Sequence, residues 1–171
     1  LLIIMNLFEE LQWRGLIKDT AWDDLEKIIN GCDATFYGGT DPTADSLHIG
    51  HYSSLITVKR LAKAGHHPVL LVGGATGLIG DPRPTAEREI ISKETVQNNI
   101  EGIRKQVEKL FDGKAEVVNN ADWLWKLDFV EMLKLASKVT VAQIMTRYDF
   151  AKRFSENKPI ALHEFFYPLM Q

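Results

Sequence analysis

Tyr37-Gly-Gly-Thr-Asp-Pro-Thr-Ala-Asp-Ser-Leu-His-Ile-Gly-His51 joins a β-rich run to a helical one through a turn. Ala34-Thr-Phe-Tyr leads into paired glycines, which marks a strand end. Asp41-Pro42 opens the turn, and Asp45 or Ser46 can cap the helix that follows. That helix opens with His48 and His51, three residues apart and so on one face. Its first turn is expected to offer unpaired backbone N–H groups and the positive end of a dipole, a combination suited to a phosphate chain. Gly50 leaves no side chain over the helix surface, where a flat nucleobase or ribose can approach. Two surface histidines on a solvated helix start are the competing reading of His-x-x-His alone, and the flanking turn and glycines weigh against it.

Downstream, Ile49, Tyr52, Leu55, Ile56 and Leu61 are expected to form the apolar face of this helix, with Lys59, Arg60 and Lys63 near its C-terminus and Gly65 ending it. Pro68-Val-Leu-Leu-Val-Gly73 is a continuous apolar run, as expected of a strand buried on both faces of a parallel sheet. Glycines at 73, 74, 77 and 80 follow, either as a flexible turn or as a loop that lets backbone approach a ligand. This is no Walker A loop, because Asp81 and Pro82 stand where Lys and Ser/Thr are needed. Residues 82–91, with Arg83 and Arg88, read as a polar excursion. Ser92 caps a long helix to about Phe111, and Ala115-Glu-Val-Val-Asn119 is a third strand. Helices are expected over 128–137 and 140–153. Lys152, Arg153 and Lys158 form a basic cluster read as a solvated face. The run from His163 to Gln171 has helical apolar spacing, with Pro168 expected to kink it unless it falls in the first turn. Upstream, 6–17 and 23–29 read as two short helices.

Strands alternating with helices from 34 to 120 predict an α/β fold, a Rossmann-like parallel sheet with flanking helices. Ligands bind such sheets at the carboxyl ends of the strands. Tyr37 to His51, Gly73 to Asp81 and Asn119 to Trp123 all fall there. With 171 residues, 45% of them hydrophobic, the chain can bury a real core. Its net charge of −3 argues against a dedicated nucleic-acid-coating surface. A single cysteine, Cys32, excludes an internal disulfide and any cysteine-based zinc cluster, and fits a reducing cytoplasm. The apolar opening Leu1 to Phe8 is too short for a membrane span and lacks the basic region of an export signal. Met5 is the expected natural start.

His48-Ile-Gly-His51 after Gly-Thr-Asp-Pro-Thr-Ala-Asp-Ser-Leu, with Val72-Gly-Gly-Ala-Thr-Gly-Leu-Ile-Gly-Asp-Pro82 downstream, closely resembles the bacterial-type tyrosyl-tRNA synthetase family, of class I. Glu10-Leu-Gln-Trp-Arg-Gly-Leu16 and Asn119-Asn-Ala-Asp-Trp123 resemble it too. The resemblance covers nearly the whole chain from Met5. It implies activation of tyrosine with ATP, accompanied by Mg2+, to tyrosyl-adenylate, then transfer to tRNA(Tyr). No protein nucleophile and no protein-bound metal are implied. Thr43, His48 and His51 would serve the phosphates and ribose, with Gly50 on the adenine side and Asp41 helping to fix nucleotide or amino acid. Tyr37, Gly39, Asp41, Thr76, Asp81, Asn120, Tyr167 and Gln171 would hold tyrosine: Asp81 the ammonium and Tyr37 the phenol, with Asn120 at the pocket edge. A buried polar group left unpaired by phenylalanine rejects it, a logic for which tyrosyl-tRNA synthetase is the standard illustration.

The same resemblance implies a homodimer in the cytoplasm, paired in part through Thr140 to Phe166. It also implies an N-terminal helical segment at 1–33 and, at 34–171, the N-terminal part of the Rossmann-like catalytic domain. The family continues beyond Gln171 with further phenol, ribose and pyrophosphate residues, so the chain is expected to be a fragment with little aminoacylation activity. A nucleotidylyltransferase of the same superfamily and a non-catalytic RNA-binding fragment are the competing functions.

Overall fold

The computed structural model describes residues 5–31, 33–85 and 89–170. Residues 1–4, Cys32, Arg88 and Gln171, all of which figured in the sequence reading, lie outside the described residues. Among the described residues, strands β1 (Thr35–Thr40), β2 (His67–Val72) and β3 (Glu116–Asn119) form one parallel sheet in the order β1-β2-β3. The register pairs Thr40 with Val72 and Val72 with Asn119, which brings the three strand ends level.

Helix α1 (Leu7–Trp13) and helix α2 (Leu25–Asn30) precede the sheet. α1 starts on a reciprocal cap, Asn6 with Glu9, and is tied to α2 where Phe8 N donates to Asn30 Oδ1 at 3.0 Å. Helix α3 (Ile49–Lys63) crosses from β1 to β2, and helix α4 (Lys93–Phe111) leads from the β2 loop to β3. Both crossovers step the same way along the sheet. Right-handed connections then put both helices on one face. Leu70 and Val72 point to that face and meet Leu55 of α3 and the stripe Val96, Ile100, Ile103, Val107 and Phe111 of α4. This is the hydrophobic core. Val69 and Leu71 alternate to the other face and are only half-buried, so β2 is not the doubly buried strand its composition suggested.

α3 differs from expectation at its start. Its cap is His48, not Asp45 or Ser46, and Ile49 and Tyr52 are exposed, leaving Leu55 as its buried residue. The caps at Ser92 and the strand at 116–119 fall where the sequence placed them.

After β3 come α5 (Ala121–Leu124), α6 (Phe129–Ala136), α7 (Val141–Ile144), α8 (Tyr148–Ser155) and α9 (Leu162–Met170). The single helix expected over 140–153 is broken into α7 and α8. The Thr146 hydroxyl donates to the Gln143 carbonyl, the acceptor that a continuous helix would offer to the Arg147 amide. Arg147 then takes an extended conformation, φ −65° and ψ 136°. α9 continues through Pro168, which lies well past its first turn, near the C-terminal end where one missing amide costs little of the ladder.

The basic cluster is not a solvated face. Arg153 is 1% exposed and forms a two-pronged pair with Glu164, itself fully buried, at 2.7 and 2.9 Å. It also donates to the Pro159 carbonyl. Lys158 pairs with Glu156 on the surface. The Arg153–Glu164 pair fastens α9 to α8, with the Phe150 and Phe165 rings stacked at 5.1 Å beside the joint. Removing one partner strands a buried charge. Arg153→Met alone should therefore destabilise the chain by roughly 3–5 kcal/mol in denaturant unfolding, and adding Glu164→Leu should recover most of that loss.

Candidate active site

The level strand ends gather the site. At the end of β1 the chain turns through Asp41 and Pro42, where Thr43 N donates to Asp41 O at 2.9 Å. α4 fixes this turn from below. Asn99 Nδ2 donates to the Pro42 carbonyl at 2.9 Å, and Gln106 accepts from Leu47 N at 3.0 Å. Between them Gly102 runs so close that an added Cβ would lie 2.1 Å from Asp45 O.

At the end of β2 the glycine-rich loop turns immediately, with Thr76–Leu78 forming one 3₁₀ turn. The Thr76 hydroxyl donates to Asp41 Oδ1 at 2.8 Å, and the Tyr167 hydroxyl from α9 donates to Asp41 Oδ2 at 2.6 Å. Asn120, at the end of β3, donates to Thr76 Oγ1 at 3.0 Å and accepts from Ala75 N at 2.8 Å. Each strand end thus contributes to one network. Gly73 is the residue that lets it close, because a Cβ there would stand 2.1 Å from Asp41 Oδ1 and 2.3 Å from Thr76 Oγ1. The loop is neither a flexible turn nor, at Gly73, a ligand approach. The protein's own side chains fill that space.

Burial and the facing Asp41 carboxylate push the Tyr167 phenol well above its ordinary value of 10.0. Its proton therefore stays committed to Asp41, and toward a ligand its oxygen can only accept.

A cavity of about 470 Å³ opens above this layer, lined by Gly39, Thr40, Asp41, Thr43, His51, Asp81, Arg147 and Tyr167. Six residues singled out in the sequence meet there: Gly39, Asp41, Thr43, His51, Asp81 and Tyr167. Others lie elsewhere. Thr76 and Asn120 are 1% and 2% exposed, with their polar atoms bound to Asp41, Ala75 and each other, so they support the wall. Asn120 is consequently not at the pocket edge. Tyr37 is 65% exposed and does not line the cavity, although it shares a strand face with Gly39.

The two histidines are partners of each other. His48 Nδ1 accepts from Gly50 N at 3.1 Å, while His51 Nδ1 accepts from His48 N at 3.3 Å. Their rings lie against each other with centroids 3.9 Å apart and planes tilted by 37°. The helix start therefore keeps fewer open amides than expected, and Gly50 makes room for the His48 ring, since its Cβ would meet His48 Cε1 at 2.9 Å. With Nδ1 accepting, each neutral ring carries its proton on Nε2, ready to donate outward. Burial and the neighbouring His48 lower the His51 pKa, which favours that neutral donor form.

Sequence reasoning missed Arg147, which donates to Asp81 at 3.2 Å from 66 residues away and to Asp149 at 3.2 Å. Its neighbours in the chain gave no sign of this. Asn99, Gly102 and Gln106 lie on the helix expected from Ser92 to about Phe111, but no role was assigned to them.

A model of the class I tRNA synthetases (W and Y) matches residues 30–171. The chain belongs to that family. Its curated relatives include tyrosine–tRNA ligase 2 of Streptococcus thermophilus, 46% identical over 168 residues covering 98% of this chain and 54% of the relative. The tyrosine–tRNA ligase of Streptomyces coelicolor is 45% identical over 172 residues, 97% of this chain and 41% of that protein. The chain thus spans about half the length of these relatives. Among solved structures, a C-terminally truncated mitochondrial tyrosyl-tRNA synthetase of Aspergillus nidulans superposes with a TM-score of 0.79 at 27% identity, covering 95% of this chain and 51% of that one. That synthetase fold accounts for the Rossmann-like sheet described above. Among the described residues no group of three or more His, Cys, Asp or Glu is arranged to hold a metal ion, and no helix is long and apolar enough to cross a membrane.

The lowered His51 pKa has a sign that can be checked. A folded-state value below the unfolded 6.5 means that the unfolded chain binds the proton more readily. The contribution of His51 to stability is full above pH 6.5 and is lost as pH falls through the lowered folded value. Urea unfolding between pH 7.5 and 5 should show this loss in the wild type, and a smaller slope in His51→Gln.

Proposed function

We propose that this chain carries the amino-acid site and part of the nucleotide site of a tyrosine–tRNA ligase. The observation that carries the reading is that one cavity is lined both by carboxylate acceptors and by hydroxyl and imidazole donors. Asp41, Asp81 and the Tyr167 oxygen supply acceptors, suited to the three N–H bonds of an α-ammonium. Thr43 and His51 supply donors, with the His48 ring against that of His51, suited to phosphate oxygens. An amino acid held by its ammonium at the acceptors presents its carboxylate to the donors.

In that arrangement a carboxylate oxygen of tyrosine attacks the α-phosphorus of ATP, the bond to the bridging oxygen breaks, and pyrophosphate leaves. The carboxylate is already ionised, so the protein needs no nucleophile and no base. Alignment, and donation to oxygens that gain charge in the transition state, are the available contributions. Mg2+ enters with ATP as part of the substrate. Tyr37 lies two residues before Gly39 on the same face of β1, about 7 Å along the strand. That spacing supports the assignment of Tyr37 to the phenol of a bound tyrosine. Gly50 and the His48 ring it accommodates form the surface offered to the adenosine, and Gln171 is assigned to the ammonium end by resemblance alone.

Transfer to tRNA(Tyr), a homodimer paired partly through the Thr140 to Phe166 region, and a cytoplasmic setting complete the proposal. The exposed Val141, Tyr148, Phe154 and Leu162 supply apolar surface in that region. The chain divides functionally into an N-terminal helical segment, 1–33, and the catalytic portion, 34–171.

Ligand-dependent melting tests the reading. Tyrosine should raise the melting temperature of the chain, whereas a phosphorylated acceptor typical of nucleotidylyltransferases should not. Asp81→Asn should weaken tyrosine about tenfold to a hundredfold, the size of a lost hydrogen bond to a charged group. A stronger response to the phosphorylated acceptor than to tyrosine would overturn the assignment.

A further inference from the structure

The cavity wall contains a cation that the tyrosine-site reading leaves without a task. Arg147, at the head of α8, is the sole lysine or arginine among the described residues that line it. Its Nη2 donates to Asp81 Oδ1 and its Nε to Asp149 Oδ1, both at 3.2 Å. The two contacts are unequal. The Asp149 side chain is 13% exposed and its Oδ2 is buried without a hydrogen-bond partner, whereas the Asp81 side chain is 58% exposed. Parting Arg147 from Asp149 would leave a largely buried carboxylate without its countercharge. Parting it from Asp81 returns an exposed carboxylate to water or to another cation, at little cost.

Packing supports the same asymmetry. The guanidinium lies 6.0 Å from the centroid of the Phe150 ring, and Phe150 is completely buried. Arg147 is therefore anchored on its Asp149 and Phe150 side and releasable on its Asp81 side. Its charge reaches the acceptors of the cavity, where it opposes the effect of Asp41 and Asp81 on the Tyr167 phenol.

We propose that Arg147 is a positioning residue that occupies Asp81 in place of the substrate ammonium and is displaced by it, so that its charge selectively weakens binding of ligands carrying an α-ammonium. The proposal rests on the assignment of Asp81 to that ammonium. While the site is open, Arg147 holds the carboxylate at the cavity mouth. When an ammonium arrives, two cations compete for one carboxylate at short range, and their repulsion is relieved by the guanidinium swinging back onto Asp149. Binding of the amino acid is thereby coupled to release of the α8 head from the glycine-rich loop.

Calorimetric titration of the 171-residue chain at pH 7 and low salt tests this with three ligands. Tyrosine has both charges, tyrosinol keeps the ammonium without the carboxylate, and 3-(4-hydroxyphenyl)propionate keeps the carboxylate without the ammonium. Arg147→Gln should bind the first two about threefold to fivefold more tightly, the size expected for a partly exposed charge pair, and leave the third within about twofold of wild type. Arg147→Lys, which keeps the charge, should stay close to wild type. The paired change Arg147→Gln with Asp149→Asn removes the buried charge together with its partner and must reproduce the same selectivity, which guards against a folding defect in the single variant. Weaker tyrosine binding in both neutralised variants, or an equal change for all three ligands, overturns the proposal alone. A wild-type chain that binds none of the three overturns the tyrosine-site reading and this proposal with it.

Discussion

The Asp41 carboxylate is the point through which the structure is tied together. It is attached to the end of β1, and its two oxygens accept from Thr76 on the β2 loop and from Tyr167 on α9. Thr76 is in turn held by Asn120 at the end of β3. A carboxylate at this depth needs donors, and each donor comes from a different part of the chain, the most distant 126 residues away. The network thus fixes where α9 sits relative to the sheet and how the glycine-rich loop turns. Gly73 is the steric condition for both, because any side chain there would occupy the place of the Asp41 carboxylate.

Such a network also decides what the cavity can present. Thr76 and Tyr167 spend their protons on Asp41, so the wall above them accepts rather than donates. At the start of α3 the logic reverses. The two histidines accept from backbone amides at Nδ1, which leaves Nε2 as the donating nitrogen of each neutral ring. Neither set needs a strained residue or a strongly shifted catalytic acid. The polarity follows from which way hydrogen bonds within the protein are directed. The polarity of the cavity wall then arises from ordinary donor and acceptor bookkeeping.

Much of this was legible in the chain because the relevant signals are local. The β-rich run from Ala34, the apolar run at Pro68 to Val72 and the Ser92 cap place β1, β2 and α4 within a residue or two, although β1 runs on through the paired glycines to Thr40. The parallel order follows from their alternation. What stayed hidden depended on contacts distant in sequence. Arg153 reads as a surface cation until Glu164 folds against it, and a run of 14 residues reads as one helix until Thr146 takes the Gln143 carbonyl. Asn120 and Thr76 could be assigned to the site but not to its supporting layer. Which side of a wall a polar group faces is decided by its partners, not by its neighbours in the chain. The same holds for Gly50, whose missing side chain serves a histidine rather than a ligand.

The C-terminal helices connect these two scales. α8 and α9 have few residues in the main core, yet they deliver Arg147 and Tyr167 to the cavity from the two ends of one buried ion pair. Because Arg153 and Glu164 are almost wholly withdrawn from water, the joint between the helices is costly to open and also costly to assemble incorrectly. Such a joint ties α8 to α9 through a buried contact. Tyr167 of α9 is bound to Asp41, and Arg147 at the head of α8 bridges to Asp81. The first contact is buried and the second exposed. The contact that yields is the exposed one, so Arg147 can leave Asp81 while the buried Tyr167–Asp41 hydrogen bond stays in place.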